Sequence, residues 1–381
     1  MKIVIPKYVK QVIDTLEKNG FEAFVVGGAV RDAMLGQVPD DWDVATNAVA
    51  QEIKKLFVRH FDTGIKHGTI TVLTDDNPVE VTTYRIDGIY KDNRRPENVD
   101  FTTDIKEDLK RRDFTVNAMA YNEKTGLVDL YGGAKDLKNK IIRCVGDADT
   151  RFCEDALRIM RAIRFAIRLG FEIEENTFKA IDRNKNLLKN ISAERIQVEV
   201  LKILEENDLH LLFNSGVAGI ILPEVDFKTI NLNVPEDKEL RLSALLYWVS
   251  DAKGVFTRLK FDNKTKNNVI KIIQCARENF ECSPYSVKKM LNKYGEEIFE
   301  KALVLKKAYG KSSDEEKMIF NSVKAEPYSI KHLAITGDDI ISSGIESVNI
   351  GKVLDKLLDM VIKNPNLNEK EKLKEFILEI K

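Results

Sequence analysis

The chain has few cysteines, and they are not arranged to build a zinc site or a disulfide framework. The four of them, Cys144, Cys153, Cys275 and Cys282, are scattered without a CxxC pair, and only four histidines accompany them. Zinc modules and secreted disulfide scaffolds need closely spaced ligands or paired cysteines. We therefore expect these cysteines to be ordinary core or surface thiols.

The sequence also lacks any apolar run long enough for a signal peptide or a membrane-spanning helix. It has only 9 prolines in 381 residues, and 43% hydrophobic with 32% charged residues is typical of a well-folded, helix-rich protein. We expect a cytoplasmic protein with no membrane contact. Its length predicts several domains or helical modules, because one compact core rarely grows this large.

The chain has no excess of charge of either sign. Sixty Lys and Arg residues stand against 61 Asp and Glu residues, which gives a net charge of −1. This balance neither favours nor excludes a polyanionic partner, so any nucleic-acid-binding surface has to be a local patch. Nothing in the sequence implies a protein partner.

The hydrophobic pattern divides the chain into a mixed part and a helical part. After about residue 151, helical periodicities dominate to the C-terminus. Before about residue 145, a helix and several β-rich runs alternate with turn residues, at Val9–Asn19, 21–26, 68–74, 79–84 and 99–103. We predict an α+β fold in which a mixed-sheet head precedes an all-α remainder.

The segment VVGGAVRDAMLGQVPDDWDVATNA, residues 25–48, carries the first chemical signal. A strand ends at Val26, Gly27-Gly28 turns the chain, and a short helix then carries Arg31. Glycines let a phosphate approach the backbone, and a helix N-terminus offers free N–H donors. We expect Gly28 and Arg31 to bind a triphosphate, although a Gly-Gly turn alone is more often an ordinary turn.

Two acidic residues follow at alternating positions. In a strand through Asp41-Trp42-Asp43-Val44, both carboxylates point to one face while Trp42 and Val44 pack on the other. Two carboxylates this close repel each other unless a cation lies between them. Mg²⁺ prefers one or two carboxylates plus substrate phosphates, so we predict a Mg²⁺ site at Asp41 and Asp43. The alternative is a pair of solvated acids on an edge strand.

This combination resembles the signature of the DNA polymerase β-like nucleotidyltransferases, in which a glycine turn precedes an acidic–hydrophobic–acidic–hydrophobic segment. The resemblance implies a two-metal nucleotidyl transfer with release of pyrophosphate. It also implies a third catalytic carboxylate on a nearby strand, for which Glu80 in VEVTTYR is the candidate. For Glu80 the alternative stays open, because an acid in an alternating strand usually faces solvent.

Further stretches are similar to the class II tRNA nucleotidyltransferases, the CCA-adding enzymes and their close relatives. They are DGIYKDNRRPENVDF (87–101), DLKRRDFTVNAMAY (108–121), RFCEDALRIMRAIRFAIRLGF (151–171) and the tail segment beginning ITGDD at 335. The resemblance implies CTP and ATP as substrates and tRNA as the acceptor. It also implies four parts, a catalytic head (1–148), a neck that recognises the base (149–205), a body (206–282) and a tail that binds tRNA (283–381).

The EDALR segment provides a physical account of base choice. If the helix is continuous from Arg151, Asp155 and Arg158 are neighbours three residues apart. A carboxylate only accepts hydrogen bonds, so Asp155 suits the amino group of C or A and repels the carbonyl of G or U, while Arg158 donates to the ring. We expect this pair to select C and A without a nucleic-acid template. The alternative is an ordinary ion pair on a solvated helix.

Other arginines are assigned by the resemblance. Arg161 and Arg164 continue at three-residue steps, which drift by about 60° each on a helix, so only their long side chains allow them to reach phosphates or ribose of one nucleotide. Arg112 in RRDF matches the nucleotide-binding arginine of the family, and we expect Asp113 to orient it, with Arg111 as the alternative. Glu194 and Arg195 are expected to brace the nucleotide-binding helix.

The closest alternatives keep the chemistry and change the product, namely an A-adding enzyme, a CC-adding enzyme or a bacterial poly(A) polymerase. CC-adding relatives lack much of the loop retained at Asp87–Pro96, whose basic residues are Lys91, Arg94 and Arg95. EDALR resembles the CCA-adding form more than the poly(A) form. A rival of another class is a catalytically silent tRNA-binding protein of the same fold, against which the acidic pair and Arg158 argue.

Overall fold

A computed structural model describes residues 2–88, 90–91, 95–96, 99–311 and 314–380. The chain forms two compact units, Met1–Pro223 and Glu224–Lys381. Within the described ranges, no helix is both long enough and apolar enough to cross a membrane.

The first unit is built around a mixed β-sheet. Its strands in chain order are β1 (Ala23–Val26), β2 (Asp43–Thr46), β3 (His60–Gly64), β4 (Thr69–Leu73), β5 (Pro78–Thr83), β6 (Arg85–Asp87), β7 (Tyr90–Lys91), β8 (Arg95–Pro96), β9 (Val99–Phe101), β10 (Met119–Asn122), β11 (Gly126–Asp129), β12 (Ile141–Ile142) and β13 (Glu172–Ile173). Seven of these described strands form one sheet in the order β11-β10-β1-β2-β5-β4-β3. Alternating buried and exposed residues in β5 explain why sequence periodicity located this strand.

Helices cover the sheet and then continue alone. Those of the first unit are α1 (Lys7–Lys18), α2 (Gly28–Met34), α3 (Ala50–Leu56), α4 (Ile105–Lys110), α5 (Gly133–Asn139), α6 (Ala148–Glu154), α7 (Leu157–Leu169), α8 (Glu175–Asn184), α9 (Ala193–Leu204), α10 (His210–Asn214) and α11 (Ala218–Ile221). Short 3₁₀ turns occur at Ile65–His67, Thr115–Asn117 and Lys185–Asn190. The predicted order, a mixed-sheet head followed by helices, is confirmed.

One pair of neighbouring strands positions the acidic residues. β2 pairs antiparallel with β1 and parallel with β5, and in the parallel register Asp43 lies opposite Glu80. On β2, Val44 is fully buried, and the preceding Trp42 is buried as well. The predicted alternation of Trp42 and Val44 inward, with the acids outward, is therefore confirmed, although the strand itself begins only at Asp43.

The expectation of a continuous helix from Arg151 onward is wrong. α6 ends at Glu154, Asp155 adopts an extended conformation with φ −139° and ψ 102°, and α7 begins at Leu157. The Asp155 carboxylate accepts a hydrogen bond from the backbone N–H of Leu157 at 3.1 Å. Aspartate competes with the helical backbone for hydrogen bonds in this way, which favours it at helix ends over helix interiors.

The second unit is helical. Its helices are α12 (Lys238–Leu245), α13 (Ala252–Arg258), α14 (Asn263–Arg277), α15 (Pro284–Tyr294), α16 (Glu296–Ala308), α17 (Asp314–Val323), α18 (Gly337–Ser342), α19 (Ile350–Lys363) and α20 (Lys370–Ile380), with 3₁₀ turns at Phe227–Thr229, Ile330–His332, Ser347–Asn349 and Pro365–Leu367. Buried aliphatic side chains of α19 and α20, including Leu357, Val361 and Ile377, form one of its hydrophobic clusters.

Candidate active site

A cleft of about 980 Å³ opens in the first unit, where the sheet faces α7. Its lining includes every residue that the sequence analysis proposed for catalysis or nucleotide binding, namely Asp41, Asp43, Glu80, Gly28, Arg31, Arg112, Asp155, Arg158, Arg161 and Arg164. Residues separated by more than a hundred positions in the chain therefore meet in one cavity. Their individual partners differ from the expected ones in several places.

The acidic side of the cleft is formed by Asp41, Asp43 and Glu80. Asp43 is open to the cleft, yet the surrounding protein limits its solvation, and this burial, followed by the charge of Glu80, raises the pKa of Asp43 to about 6. Arg112 acts in the opposite direction and Asp41 adds a smaller increase. Burial and neighbouring negative charge thus both disfavour the ionised carboxylate, and a bound cation relieves this condition.

The donor set fits a metal ion that binds together with its substrate. Within the described part of the chain, no group of three or more His, Cys, Asp or Glu side chains is arranged to hold a metal by itself. Mg²⁺ commonly uses one or two carboxylates and completes its octahedron with water and substrate phosphates. Oxygen ligands at Asp41 and Asp43 suit this mode of binding.

The glycine turn requires glycine at one of its two positions. Gly27 has φ +68°, and a Cβ added there would lie 2.7 Å from Nη1 of Arg112. A side chain at this position would therefore strain the backbone and displace the arginine. Gly28 begins α2, a helix of only seven residues that also carries Arg31.

Arg31 is buried and held from two sides. Its Nε and Nη2 donate to the two carboxylate oxygens of Asp32 at 2.8 and 2.9 Å, and its Nη1 donates to Oδ1 of Asn117 at 2.6 Å. Asn117 was not identified from the sequence. Because its backbone carbonyl oxygen also accepts a hydrogen bond from Nη1 of Arg112, at 3.3 Å, it connects two of the arginines that line the cleft.

The expectation that Asp113 orients Arg112 is wrong. Asp108 performs this function, since its carboxylate accepts from Arg112 Nη2 at 3.2 Å and from Arg111 Nη2 at 2.7 Å. Burial alone would raise the pKa of Asp108, but Arg112 and Arg111 outweigh it and hold that pKa below its ordinary value. The i,i+3 and i,i+4 spacings place both arginines next to Asp108 at the end of α4.

Asp113 pairs instead with an arginine 48 residues later in the chain. Its Oδ2 accepts from Nε and Nη2 of Arg161 at 2.7 and 2.6 Å. Burial would raise the pKa of Asp113, but the charge and hydrogen bonds of Arg161, assisted by Asn117, keep it below the ordinary value. The RRD segment and α7 are thereby joined by an ion pair.

Asp155 and Arg158 each bind partners that the sequence analysis did not pair with them. Both oxygens of Asp155 accept hydrogen bonds from Arg195, at 3.1 and 2.7 Å, which agrees with the predicted bracing role of Arg195. Arg158 donates to Glu154 at 2.6 Å and to the backbone carbonyl of Arg111 at 3.1 Å. The interruption of the helix at Asp155 separates the two side chains, yet both still line the cleft.

A phenylalanine lies at the centre of the arginine wall. The guanidinium carbons of Arg164, Arg31 and Arg161 are 4.3, 5.1 and 5.3 Å from the ring centroid of Phe165, within the range of cation–π attraction. Arg164 also pairs with the buried carboxylate of Glu199 at 2.7 Å. The long side chains thus bring Arg161 and Arg164 to one ring despite their angular drift along α7, and Arg31 reaches the same ring from α2.

The opposite wall was not anticipated from the sequence. It comes from β3, β4 and the turn between them, and it adds Thr63, Gly64, His67 and Thr69 to the lining. Arg85 also lines the cleft and donates to the backbone carbonyl of His67 at 3.1 Å. Isolated threonine and histidine residues in a strand hairpin match no sequence motif, so no sequence pattern indicated them.

The basic loop expected at Asp87–Pro96 is covered only in part. Arg94 lies outside the described residues. For Lys91 and Arg95 the structure describes the backbone, in which these residues pair across β7 and β8.

Comparison with known protein families matches three consecutive parts of the chain. Residues 23–143 match the "Poly A polymerase head domain", and residues 170–228 match the "Probable RNA and SrmB- binding site of polymerase A". Residues 234–377 match the "tRNA nucleotidyltransferase domain 2 putative".

Individual proteins are similar to the chain over almost its whole length. A CCA-adding enzyme of Ligilactobacillus salivarius is 38% identical, covering 96% of this chain and 95% of the relative. A CCA-adding enzyme of Enterococcus faecalis is 36% identical, covering 96% and 94%. The crystal structure of the Bacillus stearothermophilus CCA-adding enzyme in complex with CTP superposes with a TM-score of 0.85 at 30% identity, covering 99% of this chain and 98% of that one.

Proposed function

The chain belongs to the family of CCA-adding enzymes, and from this premise we propose that Asp41, Asp43 and Glu80 catalyse the addition of C, C and A to the 3′ end of tRNA. CTP and ATP are the substrates, and pyrophosphate is released. The observation that carries the assignment of residues is the register of β2 and β5, which sets Asp43 beside Glu80 at the floor of the cleft.

The proposed metal is Mg²⁺, held by Asp41 and Asp43. When bound, the ion lowers the pKa of the attacking 3′-hydroxyl and neutralises charge on the triphosphate. Glu80 supplies the third carboxylate, and its charge next to Asp43 favours a cation at this position. Enzymes of this chemistry depend mainly on positioning and on electrostatic stabilisation of the transferring phosphoryl group.

The arginine wall is proposed to bind the nucleotide. Arg31, Arg112, Arg161 and Arg164 are assigned to the triphosphate and ribose, with the backbone at Gly28 close to a phosphate. Each of these arginines already has a carboxylate neighbour that fixes its orientation. Such preorganised donors stabilise developing charge without having to reorganise at the moment of reaction.

Asp155 and Arg158 are proposed to read the base. The two hydrogen bonds from Arg195 orient the Asp155 carboxylate, and a carboxylate oxygen can accept more than one hydrogen bond. An amino group of cytosine or adenine then donates a hydrogen bond to Asp155. Arg158 donates to the base ring, either after breaking its ion pair with Glu154 or while keeping it. A carbonyl of uracil or guanine at the same position meets only negative charge.

The division into head (1–148), neck (149–205), body (206–282) and tail (283–381) is also a proposal, as is tRNA binding by the tail. The boundary between the two compact units falls at Pro223. We further propose that the enzyme acts in the cytoplasm, where it meets its tRNA.

The decisive experiment offers purified protein and labelled CTP or ATP to three tRNA transcripts, which end at the discriminator base, after CC and after CCA. We expect the first to gain C, C and A, the second to gain A alone, and the third to stay unchanged. Incorporation of C alone into the first transcript would identify a CC-adding enzyme. Incorporation of A into the second transcript, with none into the first, would identify an A-adding enzyme. Long A tails would identify a poly(A) polymerase.

A further inference from the structure

An exposed aromatic residue stands out in the second unit. Trp248 follows α12 with 51% of its surface accessible, while its neighbour Tyr247 is fully buried. Tyr247 stacks on Tyr309 with a centroid distance of 4.2 Å and an interplanar angle of 14°. Trp248 meets both rings edge-on, at 84° and 89°. The three rings form one cluster whose outer member is the indole.

Hydrogen bonds hold Tyr309, the ring beneath Trp248, in place. The hydroxyl of Tyr309 donates to the carbonyl of Ala244 at 2.8 Å and accepts from the backbone N–H of Asn231 at 3.2 Å. The Asn231 side chain in turn donates to the carbonyl of Ala308. Because these contacts fix Tyr309, the ring that supports Trp248 does not need to be ordered again when a ligand binds.

Two cations border the rings. Lys311 Nζ lies 4.5 Å from the Trp248 ring centroid, and Arg277 Cζ lies 5.3 Å from that of Tyr247. Among the described residues, neither cation forms an ion pair, whereas the nearby Lys306 and Lys307 pair with Glu316 and Asp314. The two lysines nearest in sequence are thus neutralised while the cations beside the rings keep their charge.

We infer that Trp248, Lys311 and Arg277, none of which lines the catalytic cleft, form an RNA-contacting patch for the tRNA substrate; the inference rests on the proposed function. Trp248 stacks against an unpaired nucleotide, and the two cations contact backbone phosphates. Aromatic platforms combined with unneutralised basic side chains are the means by which proteins bind unpaired nucleotides. An apolar protein partner would bury both cations without a counter-charge, which is costly, whereas RNA supplies phosphates.

The first test measures binding of the full chain to a tRNA transcript that lacks CCA. Trp248→Ala should raise the Kd for tRNA by roughly five- to a hundred-fold, the range that loss of one stacking contact produces. Trp248→Phe keeps an aromatic face and should lose less. Met318→Ala, which truncates a 71% exposed side chain of the same unit, is the matched control and should bind as wild type does. The KM for CTP should stay unchanged in all three variants.

The second test separates the cations from the ring. Lys311→Ala and Arg277→Ala should each reduce the slope of log Kd against log salt concentration by about 0.7 to 0.9, the contribution of one phosphate contact. Lys138→Ala, an exposed lysine of the first unit, should leave the slope unchanged. In a Trp42→Phe background Trp248 is the only tryptophan of the chain, and its fluorescence should respond to added tRNA.

Wild-type tRNA affinity in Trp248→Ala, or an unchanged fluorescence of Trp248 on titration with tRNA, would overturn the inference. Equal losses of tRNA and CTP binding would also overturn it, because they would indicate general damage to the fold. Binding is measured without catalysis, so failure of wild type to incorporate CTP and ATP would count against the proposed function alone.

Discussion

Asp43 on β2 and Glu80 on β5 occupy directly paired positions on parallel strands, although 37 residues separate them in the chain. Strand order β2-β5 makes them neighbours, because β3 and β4 lie on the far side of β5. Parallel pairing at this register gives the two carboxylates the same face of the sheet. Together with Asp41, they concentrate negative charge where the cleft meets the sheet.

Loss of a carboxylate at this position should abolish catalysis without unfolding the chain. We expect Asp41→Asn, Asp43→Asn and Glu80→Gln each to reduce the rate of CTP and ATP addition by more than about a hundredfold, because one electrostatic contact in a transition state is worth that much. Steady-state rates in Mg²⁺ measure the effect. Asp75→Asn, an exposed acid of the same unit, is the control. A rate within tenfold of wild type would remove that residue from the catalytic set.

Base choice should depend on Asp155 and Arg158 in different ways. Asp155→Ala removes the acceptor that distinguishes an amino group from a carbonyl. The preference in kcat/KM for CTP and ATP over UTP and GTP should therefore fall by about 1–3 kcal/mol, a factor of roughly five to a hundred and fifty. Arg158→Ala should lower kcat/KM for CTP and for ATP by similar factors. The measurement is kcat/KM for all four nucleotides with a tRNA lacking CCA. If Asp155→Ala slows all four by one factor, Asp155 is only a partner of Arg195 and does not read the base.

The glycine turn provides a prediction with an internal control. Gly27→Ala introduces both positive-φ strain and a Cβ that would lie 2.7 Å from Arg112, whereas Gly20→Ala has the same sign of φ with nothing within 4 Å. Positive φ costs a non-glycine residue about 1–2 kcal/mol. Both variants should therefore lose stability in thermal unfolding, but only Gly27→Ala should also raise the KM for CTP and ATP. Equal KM values in the two variants would show that Arg112 adjusts without loss.

Acid should weaken the fold through Asp113. Because Arg161 keeps the pKa of this buried carboxyl below its ordinary 3.8, the ionised acid stabilises the folded state above that value. The contribution disappears as the pH falls below 3.8 and through the folded-state pKa. Asp113→Asn should lower the free energy of unfolding at pH 6 by on the order of 1.5–3 kcal/mol.

Urea unfolding at several pH values between 2 and 6 measures this effect as the difference between wild type and Asp113→Asn. The difference should be largest near pH 6 and should shrink as the pH falls below 3.8 and the wild-type carboxyl takes up a proton. A constant difference across the range would mean that the amide disturbs packing and that ionisation contributes nothing.

Sequence patterns predicted the glycine turn and the acidic residues Asp41 and Asp43, which depend on local order. The pairs of Asp108 with Arg112 and of Glu154 with Arg158 were not predicted, although their four-residue spacing is one that a helix end can bring into contact. Partners brought together by the fold had no such signal, as in the pair of Arg164 with Glu199, 35 residues away. The helix interruption at Asp155 was missed because hydrophobic periodicity continues through it, whereas the Asp155 carboxylate accepts a local hydrogen bond from the backbone N–H of Leu157.

The ion pairs of the arginine wall mean that the cleft carries its own counterions. Asp32, Asp108, Asp113, Glu154 and Glu199 neutralise arginines that would otherwise repel one another. A nucleotide therefore meets arginines whose charge is already balanced by fixed carboxylate partners. An anion without a base and ribose gains little from such arginines, so inorganic phosphate and other abundant cellular anions should be weak competitors for the cleft.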